Sequence, residues 1–504
     1  MSALLTTIKL LISFCAGAAT VFAFAPFDQY HLAVLGPAVL LLLLLDSDPH
    51  MAFRLGFTYG FGLLGLGVFW MHISIDQFGG VGPVLAIIIT LAFVALMALY
   101  YGLMGWLGKR IAGASAWHIQ LSVFALLWVL LEWLRGWILT GFPWLALGYS
   151  QIGTPLQGFA PLLGVYGVTL MVVISAACLV ALFRGMKSAI PALLIICLIW
   201  GGGWLLDQKE WSSPSGDAIK VSIIQANFVQ GLKWRPETRQ PTIDLYRKLT
   251  QQEWDSDLIV WPETAIPDYY SSLEDELLSG LEREAQKHNS DLLFGIAVWG
   301  DKGERYYNSV SSIGSVRNAY FKRHLVPFGE FMPLRWLLKP LIDYLRIPMS
   351  NFAAGEAEQP LMQVLGRKAG VSICYEDAFG AEIIQAIPDA EFLVNVSNDA
   401  WFGDSIALPQ HLQIARMRSL ETARYQLRST NTGISAFIGP KGEIVSASPI
   451  NQEYVLRGKI VPMSGATIYA RTGNWGVVIS VLIVLLLVSG RHSLLSLNKK
   501  GLHW

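Results

Sequence analysis

Two stretches of this chain are almost free of charge, residues 9–206 apart from brief polar breaks, and 474–490. No other feature narrows the possible folds as much. About 20 apolar residues span a bilayer as a helix, and backbone in hydrocarbon must satisfy its own polar groups, which leaves helices or closed barrels. Eight helical spans are predicted, at 9–25, 31–46, 56–73, 83–106, 119–140, 159–183, 188–206 and 472–490, the second short with soft ends. Of 504 residues 53% are hydrophobic and 15% charged, with 18 Trp, well beyond the apolar content of a soluble chain. The expected organisation is a membrane domain of seven helices over 1–206, an aqueous domain over 207–471, and a last helix with a tail over 472–504.

The basic residues orient these spans. Lys9, Arg54, Lys109, Arg110, Arg184, Lys187, Arg491, Lys499 and Lys500 fall in the termini or in alternate loops, whereas the opposite loops 26–30, 74–82 and 141–158 carry no Lys or Arg. By the positive-inside rule both termini are cytoplasmic and 207–471 lies outside the cytoplasm. An error in the number of early spans would break this segregation. The first run has the length of a signal sequence, but no small-x-small site leads from it into an aqueous domain, so it is read as retained.

Within 207–471 strand-like and helix-like runs alternate. Strands are expected at "IKVSIIQANF", "DLIVWPE", "DLLFGIAVW", "NSVSSIG", "AYFKRHLVPFGE", "KAGVSICYE" and "AEFLVNVSND", with helices at 238–253, 272–288, 380–387 and 409–427 and a hairpin at "GISAFIGPKGEIV". That is a layered α/β domain with mixed sheets. Of four cysteines, Cys15, Cys178 and Cys197 fall in spans, and Cys374 stands alone in the aqueous domain. No disulfide framework is possible there. A lone thiol is either inert through burial or kept for its reactivity.

Three strand ends carry unusual residues: Glu263 in "VWPETA", Lys322 in "YFKRHLVPFGE" and Cys374 in "SICYED". Acyl transfer through Cys needs a base to take the thiol proton and a cation to hold negative charge, and an apolar setting keeps a carboxylate basic enough near neutral pH. Plain readings stand beside these. Glu263 as a cap of the following segment, Lys322 as a solvated strand residue, Glu330 as an ion-pair partner of Lys322 or Arg323, and Trp234 and Trp401 as packing all fit the local sequence.

Glu, Lys and Cys in these three motifs, in this chain order, resemble the triad of the nitrilase superfamily. With seven spans before the aqueous domain and one after, the chain resembles the apolipoprotein N-acyltransferases along essentially its full length, including "GFPWLALGYSQ", "HLVPFGEFMP" and "VSNDAWFGDSIALPQHL". The resemblance implies a polytopic helical membrane domain joined to an αββα sandwich. It further implies Cys374 as nucleophile taking an acyl chain from a phospholipid as a thioester, Glu263 as general base and Lys322 as oxyanion partner. Glu330, Tyr375 and Glu376 match supporting positions, and Trp144, Trp234 and Trp401 match tryptophans that hold substrate or shape its pocket. The implied acceptor is the α-amine of a diacylglyceryl-cysteine at the N-terminus of a lipoprotein, in the inner membrane of a bacterium, by a monomer. No nucleic-acid partner is expected. No cofactor or metal is expected either, since the His residues are scattered and the glycine runs lack nucleotide-binding spacing.

Two other classes compete. A membrane-anchored amidase acting on a small amide would use the same triad but needs one anchor, and a transporter would explain the spans but not the triad. In the membrane part, Glu132 and Arg135 lie three apart on one helix face and are expected to pair or to face the bundle interior. Gly56, Gly60, Gly62, Gly65 and Gly67 line the third span, as close helix packing requires. Residues 331–352 mix apolar Trp336, Leu337, Leu338 and Leu341 with Arg335, Lys339 and Arg346, the make-up of a segment lying in a headgroup layer. It is read as a mobile lid with Trp336 and Leu338 on the lipid, the alternative being ordinary packing under a long loop. Replacing both residues with Ser is expected to slow turnover of bilayer phospholipid, and unchanged turnover would count against the lid.

Overall fold

The computed structural model describes residues 2–300, 305–332, 336 and 352–500. It divides into two units, one of Met1–His72, Gly82–Lys209 and Thr472–Trp504, the other of Ile73–Val81 and Glu210–Arg471.

In the first unit every apolar run coincides with a helix. Five helical segments are long and apolar enough to cross a membrane: Ala3–Ala23, Pro83–Ala112, Trp117–Arg135, Pro155–Leu182 and Met186–Asp207. Pro49–Gly67 becomes a sixth when joined to Met71–Gln77 across a 57° bend, and Leu32–Leu45 and Trp475–Val488 are shorter apolar helices. Local chemistry sets several boundaries. Asp48 caps Pro49–Gly67, its carboxylate accepting from the N–H groups of His50 and Met51 at 2.9 and 3.0 Å, with Pro at the first helical position. The span expected at 119–140 stops at Arg135; Gly136 follows it, and Leu139 and Thr140 adopt positive φ. Outward side chains such as Leu198 and Val84 are largely exposed, as suits a lipid-facing surface.

Glycines let helices of this unit touch. A Cβ on Gly56 would lie 2.1 Å from the Tyr101 carbonyl oxygen, and one on Gly62 2.3 Å from that of Phe14. Small residues at a contact allow such backbone approach in lipid. Gly65 differs, with only Val94 near it, at 3.9 Å. Cys178 is buried, whereas Cys15 and Cys197 are exposed.

The second unit is a four-layer sandwich, with a short antiparallel pair, β1 (Ser213–Pro214) and β14 (Met463–Ser464), beside it. One sheet holds β2 (Ile219–Gln225), β3 (Leu258–Val260), β4 (Asp291–Trp299), β5 (Tyr306–Ile313), β6 (Asn318–Phe321) and β13 (Tyr454–Ile460), in the order β13-β2-β3-β4-β5-β6. The other holds β7 (Met362–Val364), β8 (Arg367–Ile373), β9 (Phe392–Ser397), β10 (Gln426–Thr430), β11 (Ala436–Ile438) and β12 (Ile444–Ala447), in reverse order from β12 to β7. β2, β3 and β4 run parallel, as do β8, β9 and β10, which explains their near-continuous apolar sequences. Val221, Ile223, Val260 and Leu293 of the first sheet meet Val371, Ile373, Val394 and Leu427 of the second in one core. The outer face of the first sheet packs on Ile243 and Tyr246 of helix Pro236–Gln251 and Leu281 of helix Ser279–His288. Helix Ala407–Thr422 covers the second sheet through Leu412 and Ala415.

Three details depart from the sequence reading. The strand expected at "AYFKRHLVPFGE" stops at Phe321. The helix expected over 409–427 ends at Thr422, because Ala423 turns left-handed (φ 51°) and Gln426–Thr430 is strand. Residues 74–82, expected as a plain loop, begin within helix Met71–Gln77. There the Ser74 hydroxyl donates to the Trp401 carbonyl and the Phe78 ring lies 4.3 Å from that of Trp401.

Replacing Gly56 by Leu is expected to lower the thermal midpoint of the detergent-solubilised protein far more than Gly65→Leu, because only the first forces two backbones apart. Equal midpoints would refute close packing at Gly56.

Candidate active site

Each of the three strand ends is positioned by a different device. Beyond β3 the chain turns over Gly295, whose N–H donates to the Pro262 carbonyl at 3.2 Å. A Cβ on Gly295 would lie 2.6 Å from the Glu263 Cα, so the turn needs glycine beneath it. Glu263 is 7% exposed. Its Oε1 accepts from Asn308 Nδ2 at 2.7 Å and lies 3.7 Å from Lys322 Nζ. Its Oε2 is buried and has no hydrogen-bond partner among the described residues.

Lys322 is the first residue past β6. Its N–H donates to the Asn308 carbonyl and its own carbonyl accepts from Gly355, which leaves the side chain, 1% exposed, to run inward. The ammonium donates to Glu330 Oε1 at 2.8 Å. Glu330 is held in turn by the Val326 N–H at 2.8 Å on Oε2 and by Asn308 at 3.2 Å. Asn308 therefore bridges both carboxylates with one amide.

Cys374 is the first residue past β8 and sits in the left-handed region (φ 52°), uncommon for a residue with a side chain. Its carbonyl accepts from Asn395 Nδ2 at 3.4 Å. Two residues on, the Glu376 carboxylate takes four donors: the N–H groups of Ile373 (2.7 Å), Arg323 (2.7 Å) and His324 (3.1 Å), and the Tyr320 hydroxyl (3.0 Å). This carboxylate joins the Cys374 turn to the chain that carries Lys322.

Burial and charge set the protonation of the cluster. Burial pushes the Cys374 thiol up, Glu263 adds to that, and Lys322 opposes it. Burial also raises the Glu263 carboxyl against the pull of Lys322. Burial draws the Lys322 ammonium down, but Glu330 and Glu263 outweigh it and hold the group well above the usual lysine value. The resting arrangement is thus a neutral thiol, a buried carboxyl with raised proton affinity and a firmly charged ammonium.

Behind Cys374 lies a second buried network. The Ser397 hydroxyl faces the thiol and donates to Asp399 Oδ1 at 2.8 Å. His411 Nδ1 lies 3.0 Å from the same oxygen, and Arg428 Nη2 donates to Oδ2 at 2.9 Å. Arg428 also donates to Asn395 Oδ1 at 2.9 Å and lies 3.6 Å from Asp377. Burial alone would raise Asp399, but Arg428 and His411 hold its carboxyl well below the usual range.

The structure brings together Glu263, Lys322, Cys374, Glu330 and Glu376. Lys322 is not a solvated strand residue, and Glu330 does pair with it. Tyr375 is half-buried, 5.1 Å from the Phe379 ring and 5.9 Å from that of His324. Trp234 is 50% exposed and Trp401 half-buried. Trp144 lies in the first unit, buried, with its carbonyl accepting from Arg135 at 2.7 Å. Among the described residues Glu132 and Arg135 do not pair. Glu132 accepts from the Leu147 N–H and the Thr169 hydroxyl, while Arg135 donates to the Phe142 and Trp144 carbonyls, so both are buried and fasten the 142–147 loop. Of the lid, Trp336 is 80% exposed, and Leu338 and the remainder of 337–351 lie outside the described residues.

Sequence reasoning did not single out Asn308, Lys233, Asp399, His411 or Arg428. Asn308 opens "NSVSSIG" and Lys233 precedes Trp234, so both stood beside motifs already marked. Arg428 gave no signal, because the helix expected over 409–427 ran up to it.

Two family models match: one described as apolipoprotein N-acyltransferase N-terminal domain over residues 16–178, the other as carbon-nitrogen hydrolase over 220–469. The chain is 43% identical over 470 residues to an apolipoprotein N-acyltransferase of Methylococcus capsulatus, covering 92% of this chain and 93% of the relative. It is 40% identical over 484 residues to that of Coxiella burnetii (95% and 99%) and 41% over 499 residues to that of Nitrosomonas europaea (98% and 99%).

Removing one partner of a buried ion pair costs about 3–5 kcal/mol. Arg428→Met is expected to destabilise the protein by about that much, and Asp399→Asn in the same chain to recover part of it, read by equilibrium unfolding in detergent. Additive losses would show that the two side chains do not interact.

Proposed function

The chain belongs to the apolipoprotein N-acyltransferase family, and from that premise we propose that it moves an acyl chain from a membrane phospholipid to the α-amine of an S-diacylglyceryl-cysteine at the N-terminus of an apolipoprotein. The protein is a multi-pass inner-membrane acyltransferase. In this reading it crosses eight times, keeps both termini in the cytoplasm, acts as a monomer and presents residues 207–471 on the periplasmic side.

The first half-reaction begins when Glu263 Oε2 takes the proton of Cys374 as the sulfur attacks the ester carbonyl carbon. Negative charge moves to the carbonyl oxygen, where the Lys322 ammonium stabilises it. Collapse breaks the C–O bond, the lysophospholipid oxygen takes the proton from Glu263, and a thioester remains on Cys374. In the second half-reaction the neutral α-amine attacks the thioester, Glu263 accepts the amine proton, and collapse releases the sulfur, which regains that proton. The product is an amide and the order is ping-pong. Glu330 holds Lys322, while Glu376 and Tyr375 fix the nucleophile turn. Trp234 and Trp401 contact substrate, and Trp336 rests on the lipid.

The observation that carries this reading is the unpartnered, buried Oε2 of Glu263 beside a thiol whose charged state both burial and that carboxylate oppose. A base in that setting keeps a whole oxygen in reserve. Chemistry outside the cytoplasm has no ATP or acyl-CoA to draw on, so the energy for an amide must come from an ester already in the membrane. A thioester conserves it, provided water is kept away.

Incubation with phospholipid alone is expected to add the mass of one acyl group to Cys374, seen by peptide mass spectrometry, and Cys374→Ser to abolish transfer at normal expression. Recovery of activity in the serine variant would dismiss the nucleophile. Because burial raises the Glu263 carboxyl above the ordinary value of 4.5, the base is lost as pH falls through a point above 4.5. The acid limb of thioester formation is expected on that higher side, and a limb at or below the ordinary glutamate value would contradict the assignment.

A further inference from the structure

One buried cation near the site takes no part in the steps above. Lys233 is 1% exposed, and its ammonium donates to the Glu263 backbone carbonyl at 3.3 Å. It reaches that point because the loop after β2 is pinned from both sides. The Asn227 N–H donates to the Asn431 carbonyl at 2.9 Å, Asn431 Nδ2 returns a bond to the Phe228 carbonyl at 2.9 Å, and Asn398 holds Gln230 at 2.6 Å. The next residue, Trp234, turns outward. Lysine is almost never fully buried without charge compensation, and among the described residues Glu263 is the one charged group whose field acts on Lys233.

We infer that Lys233 is the second cation of the site, a positioning residue that keeps Glu263 ionised by balancing the second carboxylate. Glu330 occupies Lys322 at 2.8 Å, whereas Glu263 lies 3.7 Å from it. Glu376, the third buried carboxylate, is met by four donors of its own; Glu263 and Glu330 with Lys322 alone would be two carboxylates against one ammonium, and a lone excess charge in such a place is neutralised by proton uptake. The proton would go to Glu263, whose Oε2 has no hydrogen bond, and the base would be lost. Lys233 prevents this from the backbone side, without occupying the face where thiol and ester must meet. The charged groups acting on the Glu263 carboxylate besides Lys233 are Lys322 and Glu330, and Glu263 in turn acts on the Cys374 thiol. Burial pushes the Lys233 ammonium down to about 8, so this support fades in alkali, where Glu263 no longer needs it.

This inference rests on the acyl-transfer reading, and one experiment separates the two. Thioester formation on Cys374 is measured by mass spectrometry against pH, using the full-length protein with dipalmitoyl phosphatidylethanolamine in detergent micelles. No thioester in the wild type would overturn the acyl-transfer reading itself. Given a thioester, Lys233→Met is expected to move the acid limb to higher pH, with a several-fold deficit there that closes as pH rises past about 8. Lys233→Arg, which keeps a charge, is expected to leave the limb in place even where its rate falls. A limb unmoved in both variants, or displaced equally in both, would overturn the role of Lys233.

Discussion

The buried carboxylate of Glu376 is the contact on which the rest of the catalytic unit depends. A carboxylate in low dielectric is costly unless its lone pairs are met, and here three backbone N–H groups and one hydroxyl meet them. Those donors come from two places, the end of β8 and the stretch from Tyr320 in β6 to His324 just past it. Satisfying one side chain therefore fixes the distance between the strand ends carrying Cys374 and Lys322. The left-handed turn at Cys374 is tolerable for the same reason, since Glu376 and Asn395 bind the backbone on either side of it.

From that brace outward the site is assembled as alternating charges. Glu330 holds Lys322, Lys322 faces Glu263, and Lys233 approaches Glu263 from behind. Deeper in the sheet, Asp399 and Arg428 repeat the pattern and extend it to Asp377. Pairing of this kind adds little net stability compared with apolar packing, but breaking any pair is expensive. The consequence is specification: an αββα core of Val, Ile and Leu would tolerate small shifts of one sheet on the other, and these bonds do not.

What the sequence revealed follows from how local each signal is. Glu263, Lys322 and Cys374 stood out because each ends an apolar, β-forming run, a signal contained in about seven neighbouring residues. Even so, β3 is only Leu258–Val260, and Glu263 sits in an irregular turn that depends on Gly295, more than thirty positions away. Arg428 was hidden because Ala423 stops its helix in a left-handed conformation without Gly or Asn to announce it. The tie between Phe78 and Trp401 joins segments separated by over three hundred residues, and hydropathy carries no trace of such a pairing. Glu132 and Arg135 were legible as a buried pair, but their partners were not, since each bonds the irregular 142–147 loop instead of the other.

A thiol whose charged state is opposed by burial and by a neighbouring carboxylate looks at first like a poor nucleophile. For the proposed role it is the safer arrangement. Thiolate is the form that oxidises and exchanges disulfides, and a cysteine outside the cytoplasm that rested as thiolate would be lost to such reactions. Keeping the proton on sulfur until an ester carbonyl arrives couples ionisation to attack. Glu263 Oε2 is free to receive that proton, and the charge passes to an oxygen near Lys322 without accumulating on sulfur. The same logic applies to the second half-reaction, where the departing sulfur leaves a site that favours its protonation and so disfavours attack on the new amide. On this account the elevated thiol and the unpartnered carboxylate oxygen are one device, which holds the enzyme inert between substrates and drives the acyl group forward once one is bound.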